Sequence, residues 1–428
     1  MVLIVGETAR AKNYSLGGYA KNDTNFYTKN EPDLVYFSDA RSCGTATAVS
    51  LPCLFSKSTR SEYSSKEFSQ NALDILKRVG VKVVWLGNNS GKCKGVCDRL
   101  DAGDVEYFDA GYDTNMLPSF KKRLENLAQN EIIVLHLQGS HGPAYYARYP
   151  SEFRKFTPTC DTSELSSCDS ESIVNTYDNT LLFTDFFVGE VIKAVKDAGG
   201  DKSAVWYFSD HGEEVYDGDI GIYGRNHMPV PTAQVLRGEY EIPFMMWGSP
   251  RFRKRHPEVW ARIKAARHRP FSHDDLPHLL MGLAGIATPL YAPQRDLLSP
   301  HFRPQARLVT AQENASTEEI KGLLHKHRIE KVLLVDDGFT LKGLVTVKDL
   351  RSARDYPLAC KDQNESLRVG AAIGPGGDSE RRIELLTAAG VDIIVVDTAH
   401  GHSKGVLDRV RDLRRQHPDL VIVGGNIA

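Results

Sequence analysis

Residues 203–213, SAVWYFSDHGE, decide the fold. An uninterrupted run of bulky apolar residues stops abruptly at Ser-Asp-His-Gly-Glu. A run without polar alternation reads as a strand covered on both faces, as in a parallel sheet between helices. The polar residues after it then stand at the carboxyl end of the strand, where open α/β sheets gather their ligands. The same pattern recurs in VLIVGE (2–7), VKVVWLGNN (81–89), IIVLHLQGSHG (132–142) and YEIPFMMWGS (240–249). Between these runs, NALDILKRVG (71–80) and YDNTLLFTDFFVGEVIKAVKDAG (177–199) carry helical spacing. Residues 1–303 therefore read as one layered α/β domain with a mostly parallel sheet. Glu7, Asn89, His141, Asp210 and His211 all fall just past strand ends, so they converge on one edge.

Near residues 298–310 the register changes. LLSPHFRPQARLV has two prolines and no periodicity, as a linker would. From residue 307 a second α/β unit follows. It opens with a capping-box pattern from Ser316 to Glu319 ahead of an amphipathic helix. KVLLVDD, LKGLVTVKDL, RVGAAIG, VDIIVVDTAHG and LVIVGGN then alternate with helical stretches up to residue 428.

Composition narrows the function classes. The chain has 428 residues, 41% hydrophobic and 25% charged, which is ordinary for a soluble protein and too long for one core. A net charge of −2 argues against a general polyanion binder, so no nucleic-acid partner is expected. The longest apolar run, LPHLLMGLAGIA, is too short to span a bilayer, and no basic-then-apolar leader opens the chain. MVLIVGE instead opens directly as a buried strand, which suggests that an upstream segment is missing. Six of the seven cysteines precede residue 170, in the close pairs Cys43/Cys53, Cys93/Cys97 and Cys160/Cys168. Close pairs in loop-like sequence read as disulfides and an oxidising compartment. CKGVC (93–97) also invites a metal reading, but no second pair follows at zinc-finger spacing.

The chemistry of the first domain centres on SDHGE. Asp210 and His211 offer one hard oxygen and one imidazole, and Glu7 adds a carboxylate from another strand end. Mixed oxygen and nitrogen ligation suits zinc. The hydroxyl of Thr47, in SCGTATAVSLPC (42–53), can fill a fourth position, where a cation turns an inert alcohol into a nucleophile. Thr47 also stands where a helix can begin, and a helix start favours an incoming phosphate. A Cys43–Cys53 bridge would fix that loop. Taken singly, these residues are as readily a surface turn and a helix cap.

Together, VGETAR, SCGTATAVSLPC, NNSGKCKGVCD, GSHGPAYYARYP, YDNTLLFTDF and SDHGEE resemble the periplasmic catalytic domain of lipid A phosphoethanolamine transferases. That group includes the mobile colistin-resistance enzymes and lies within the alkaline phosphatase/sulfatase superfamily. The resemblance covers residues 1–303. It implies Thr47 as the nucleophile that carries phosphoethanolamine, and Glu7, Thr47, Asp210 and His211 as ligands of one zinc. It implies Asn89, Lys94, His141 and His227 around the phosphate or a second zinc. It also implies the disulfides Cys43–Cys53, Cys93–Cys97 and Cys160–Cys168. Phosphatidylethanolamine is the implied donor, and lipid A or lipopolysaccharide the acceptor. The implied location is the inner membrane, facing the periplasm, although this chain lacks the family's membrane helices. SDHGEEVYDGDIGIYGRNHMP puts more residues between His211 and His227 than the lipid A enzymes have, closer to relatives acting on lipopolysaccharide core sugars. Sulfatases and phosphodiesterases share the scaffold, so a hydrolase is the alternative.

Residues 307–428 resemble inosine-5′-monophosphate dehydrogenase. HRIEKVLLVDDGFTLKGLVTVKDL resembles the end of its cystathionine-β-synthase (CBS) module. DYPLACKD, RVGAAIG, AAGVDIIVVDTAHGHS and VIVGGN resemble the first strands of its (β/α) barrel. By this resemblance alone, Asp397 and Asn426 neighbour nicotinamide or substrate. The segment stops before that family's catalytic cysteine loop, phosphate loops and flap. A fusion without dehydrogenase activity is expected; a nucleotide-binding protein related to that enzyme is the alternative.

Overall fold

Each apolar run of the first domain forms a strand of one sheet in the computed structural model of the chain. The structure describes residues 1–60, 70–108, 111–126, 128, 130–198, 203–215, 223–224, 233–304, 310–312, 314–327, 331–336, 341–362, 366–376 and 379–426. The chain divides into two units, Met1–Arg307 and Leu308–Ala428.

The sheet of the first unit has seven strands: β1 (Val2–Gly6), β2 (Leu34–Phe37), β3 (Lys82–Gly87), β4 (Val105–Tyr107), β5 (Glu131–His136), β6 (Ala204–Ser209) and β7 (Phe244–Gly248). Their spatial order is β2-β7-β6-β1-β5-β3-β4. β7 alone runs against its neighbours, β6 and β2; the other pairings are parallel. The five long runs were legible as strands, whereas the edge strands β2 and β4 are short and carried no such signal. Alternate residues of β1 enter two cores. Leu3 and Val5 join Trp85, Trp206 and Phe244 on one face, while Val2 and Ile4 join Tyr177, Leu181 and Val191 on the other. Side chains of this size stabilise by roughly 1.5–3 kcal/mol each when fully buried.

Helices cover both faces. The 28-residue helix Ser170–Asp197, N-capped by Asp169, lies on the face with Val2 and Ile4. Helix α1 (Thr47–Phe55) and the helix Ala72–Arg78 lie on the other. Asn71 and Asp74 form a reciprocal capping box that starts the latter helix.

Register fixes the site. Gly6 pairs with Ser209, and Val5 pairs with both Phe208 and His136, so β1, β5 and β6 end level. The residues just beyond them share one edge.

In the second unit, β8 (Thr310–Gln312), β9 (Lys331–Val335) and β10 (Leu341–Thr346) form one sheet. β11 (Gly370–Ile373), β12 (Ile393–Asp397) and β13 (Val421–Gly425) form a second, wholly parallel sheet. Ser316 accepts a hydrogen bond from the Glu319 N–H at the start of the helix Thr317–His327. Parallel strands are normally covered on both faces. Here no residue of β13 is buried, and Leu358, Leu367, Val369 and Leu385 are exposed.

Candidate active site

Glu7 leaves β1, Asp210 and His211 leave β6, and Thr47 is the first residue of α1. All four are buried. The Thr47 hydroxyl lies 2.9 Å from Glu7 Oε1, 2.8 Å from Glu7 Oε2 and 3.4 Å from His211 Nε2. His211 Nε2 stands 3.2 Å from Glu7 Oε1 and 3.7 Å from Asp210 Oδ2. His211 Nδ1 donates to the Gly212 carbonyl at 2.7 Å, so Nε2 is the nitrogen that faces the carboxylates.

Local backbone builds this cluster. Thr8 adopts the left-handed conformation, with φ 58°. Its N–H donates to Asp210 Oδ1 at 3.1 Å while its hydroxyl donates to Glu7 Oε1 at 2.7 Å. Tyr177, from the long helix, donates to the Thr8 carbonyl at 2.8 Å. Gly139, φ 49°, packs so closely that a Cβ there would come within 2.9 Å of the Glu7 carbonyl oxygen. Ser50 of α1 donates its hydroxyl to the Asp210 carbonyl, tying the helix to β6. Cys43 and Cys53 are bonded, which ties the loop before α1 to the body of the helix. Cys93–Cys97 and Cys160–Cys168 are bonded as well.

The electrostatics call for a cation. Burial and the neighbouring Glu7 charge push Asp210 up to about 7. Burial acts to lower His211, but Asp210 and the hydrogen bond to Glu7 outweigh it and raise it to about 10. Burial also acts to raise Glu7, and His211 overcomes it, holding that carboxyl well below its usual range. Without a metal, a proton on His211 is what balances the two acids. Among the described residues Asp210 Oδ2 is buried without a hydrogen-bond partner, although buried carboxylate oxygens are normally paired. Ligand atoms of Glu7, Asp210 and His211 all lie within 4.8 Å of one another. Two carboxylates, one imidazole and one hydroxyl fit zinc.

The other expected residues are placed unequally. Asn89 donates to Glu7 Oε2 at 2.8 Å and to the Leu137 carbonyl at 3.0 Å. Lys94 is exposed, and its head group lies over Gly91 beside the Asn89 amide. His141 is half-buried, and its Nδ1 lies 2.8 Å from the Gly142 carbonyl oxygen. His227 lies outside the described residues. In the second unit, Asp397 pairs with Gly425, so Asp397 and Asn426 end adjacent strands, and the Thr398 carbonyl accepts the Asn426 N–H at 2.6 Å.

Residue-type reasoning missed three contributors. Thr8 links both acids. Asp113 accepts from Asn88 and from the N–H groups of Gln138 and Gly139, joining the loops after β3 and β5. Arg148 donates to the His141 carbonyl at 2.7 Å and acts electrostatically with Glu7 and Asp113. Only Thr8, in the GET triplet beside Glu7, left a local signal; the other two depend on distant pairing.

Among known families, residues 1–286 match the sulfatase family, and residues 170–428 match the IMP dehydrogenase / GMP reductase domain. The overlap, including β6 and its Asp-His pair, lies within the first unit of the structure. Phosphoethanolamine transferase EptA of Escherichia coli (strain K12) is 39% identical over 310 residues, 69% of this chain and 55% of that protein. The chain thus spans about half the length of the curated relatives it matches. The solved C-terminal periplasmic domain of phosphoethanolamine transferase EptC from Campylobacter jejuni is 49% identical, with a TM-score of 0.65, over 71% of this chain and 95% of that domain. The corresponding EptC domain from Escherichia coli, solved in complex with zinc, is 28% identical with a TM-score of 0.58, over 72% and 87%. Among the described residues no helix is long and apolar enough to cross a membrane. Fold, cluster and likeness agree: the chain belongs to the sulfatase family through its first unit, where it is similar to phosphoethanolamine transferases, and to the IMP dehydrogenase / GMP reductase family through its second.

Proposed function

We propose that the first unit transfers phosphoethanolamine from phosphatidylethanolamine to lipid A or to the lipopolysaccharide core, by way of Thr47. The observation that carries this reading is the Thr47 hydroxyl, at the start of α1 and within 2.9 Å of both Glu7 oxygens. Glu7, Asp210, His211 and Thr47 would hold one zinc. Zinc supplies positive charge that lowers the pKa of a neighbouring hydroxyl and offsets charge on a phosphoryl group.

The chain's own residues do the rest. Among the described residues no side chain caps α1; the Val49 N–H donates to the Ala46 carbonyl at 2.9 Å, and the N–H groups of Thr47 and Ala48 would face a phosphate oxygen. Thr47 Oγ1 forms the new bond to phosphorus, and diacylglycerol departs with the bonding pair and a proton. The acceptor's hydroxyl or phosphate oxygen then attacks the same phosphorus, and Thr47 recovers its hydroxyl. Asn89 steadies Glu7 through its 2.8 Å hydrogen bond. Lys94, His141 and, by resemblance, His227 would meet the charged phosphoryl oxygens or hold a second zinc. Periplasmic action suits the three disulfides, and a polymyxin- or colistin-resistance role follows from the acceptor.

The second unit is proposed to be the end of a CBS module, carried by residues 327–350, followed by the first strands of a (β/α) barrel. The test of the main reading is intact mass after zinc-loaded protein is incubated with phosphatidylethanolamine. A gain of one phosphoethanolamine group in the parent, absent in Thr47→Ala, is expected. Release of free product with no adduct on Thr47 would instead favour a hydrolase of the same family.

A further inference from the structure

We propose that a second surface of the first unit, built on residues 250–269, docks the enzyme on an anionic phospholipid bilayer. Choosing lipid among polyanions rests on the transferase reading, but the binding itself does not. The segment PRFRKRHPEVWARIKAARHR holds eight Lys or Arg and one acid, Glu258, in a chain whose net charge is only −2. It forms two helices, Pro250–Arg255 and Pro257–Ala266. Trp260, Ile263 and Ala266 are buried in the core, so the cations are sorted to the outside: Arg251, Lys254, Arg255, Arg262, Lys264 and Arg267 are exposed. Arg253 differs, turning back to the Gly248 carbonyl at 3.1 Å and to Asp33 at 2.5 Å. Pro250, Arg251, Lys254 and Arg255 line a shallow cleft on this surface.

The path of the segment gives the band its use. β7 is antiparallel, so Gly248 pairs with Ala204 at the amino end of β6, opposite the Thr47 edge. The first helix therefore sits at the far edge of the sheet. The second carries the chain back: a Cβ at Gly248 would meet the Trp260 ring, whereas the Arg267 carbonyl accepts the Ser38 N–H, just past β2. Positive charge thus runs the height of one flank. A bilayer held along this flank lies beside the edge that carries Thr47, within reach of a lipid donor.

The test uses the whole chain carrying Thr47→Ala, so that failed binding cannot be confused with failed transfer. Co-sedimentation is measured with phosphatidylcholine vesicles, with and without phosphatidylglycerol. Binding is expected only with phosphatidylglycerol, to weaken with salt, and to fall roughly five-fold for each charge removed by Arg251→Gln, Lys254→Gln, Arg255→Gln, Arg262→Gln and Lys264→Gln. Arg251→Lys with Arg255→Lys keeps the charge and should bind as the parent does. Equal binding to neutral vesicles, undiminished binding by the five-fold variant, or displacement by an equal phosphate concentration of duplex DNA would overturn the proposal.

Discussion

Thr47, Glu7, Asp210 and His211 divide the work at the site, and single substitutions should separate their roles. Thr47→Ala removes the nucleophile but leaves three ligands, so transfer should fall by at least about a thousand-fold while zinc content stays near that of the parent. Thr47→Ser should restore part of the transfer. Asp210→Asn should instead lose zinc, measurable by chelator competition. Two buried histidines beside the cluster, His136 near Glu7 and His273 near His211, set a different property. Burial lowers His273 to about 3 and His136 to about 4, so both are neutral in the folded chain. Between those values and about 6.5 the unfolded chain binds protons that the folded chain does not, so stability falls as pH falls. Asp185, raised by burial to about 6, acts with the opposite sign between about 4 and 6 and offsets one histidine. Asp210, raised to about 7 in the metal-free chain, offsets the other, so the readable effect is a difference between variants: in urea melts of the metal-free protein between pH 6 and 5, the slope of stability against pH for His273→Asn should lie about 1.4 kcal/mol per pH unit below that of the parent.

Elements hold these residues in place through a few connections. Cys43–Cys53 spans the start of α1, and its loss should cost roughly 2–4 kcal/mol, seen as a lower midpoint under reducing agent or in Cys43→Ala with Cys53→Ala. Transfer should fall further than stability, because the bridge also sets the position of Thr47. Gly139→Ala should cost about 1–3 kcal/mol and weaken zinc binding, since a Cβ at φ 49° would press on the Glu7 backbone. At this scale the sequence was informative wherever apolar runs were long. SAVWYFSDHGE and VLIVGE placed Asp210, His211 and Glu7 at strand ends because burial on both faces leaves an unbroken pattern. YEIPFMMWGS read equally well as a strand, but its reversed direction depends on the route of the chain between β6 and β7. Asp113 and Arg148 were not legible for a related reason. Each acts through partners brought in by pairing between distant strands.

At the scale of the molecule, two units of different surface character share one chain. The first buries most of its large apolar residues beneath two helical layers, with Phe26, Val79 and Leu290 among the exceptions. In the second, Tyr356, Leu358, Leu367 and Val369 are exposed, and β13 has no buried residue. Exposed apolar surface of this extent promotes association. Deleting residues 308–428 should lower the binding of a hydrophobic dye and improve solubility, while zinc content per chain stays constant. A fall in zinc content on that deletion would mean that the second unit supports the fold of the first.

The level ending of β1 and β6 has one more consequence. Glu7 follows Gly6 and Asp210 follows Ser209, and Gly6 and Ser209 are register partners. Sliding either strand by one position would turn its side chains to the opposite face and pull the two acids out of step. A bound ion at this place would clamp the middle of the sheet, and its rate of escape would clock how often that strand pair opens. A zinc-sensitive dye, followed during slow heating, would then time the parting of these two strands before the rest of the domain gives way.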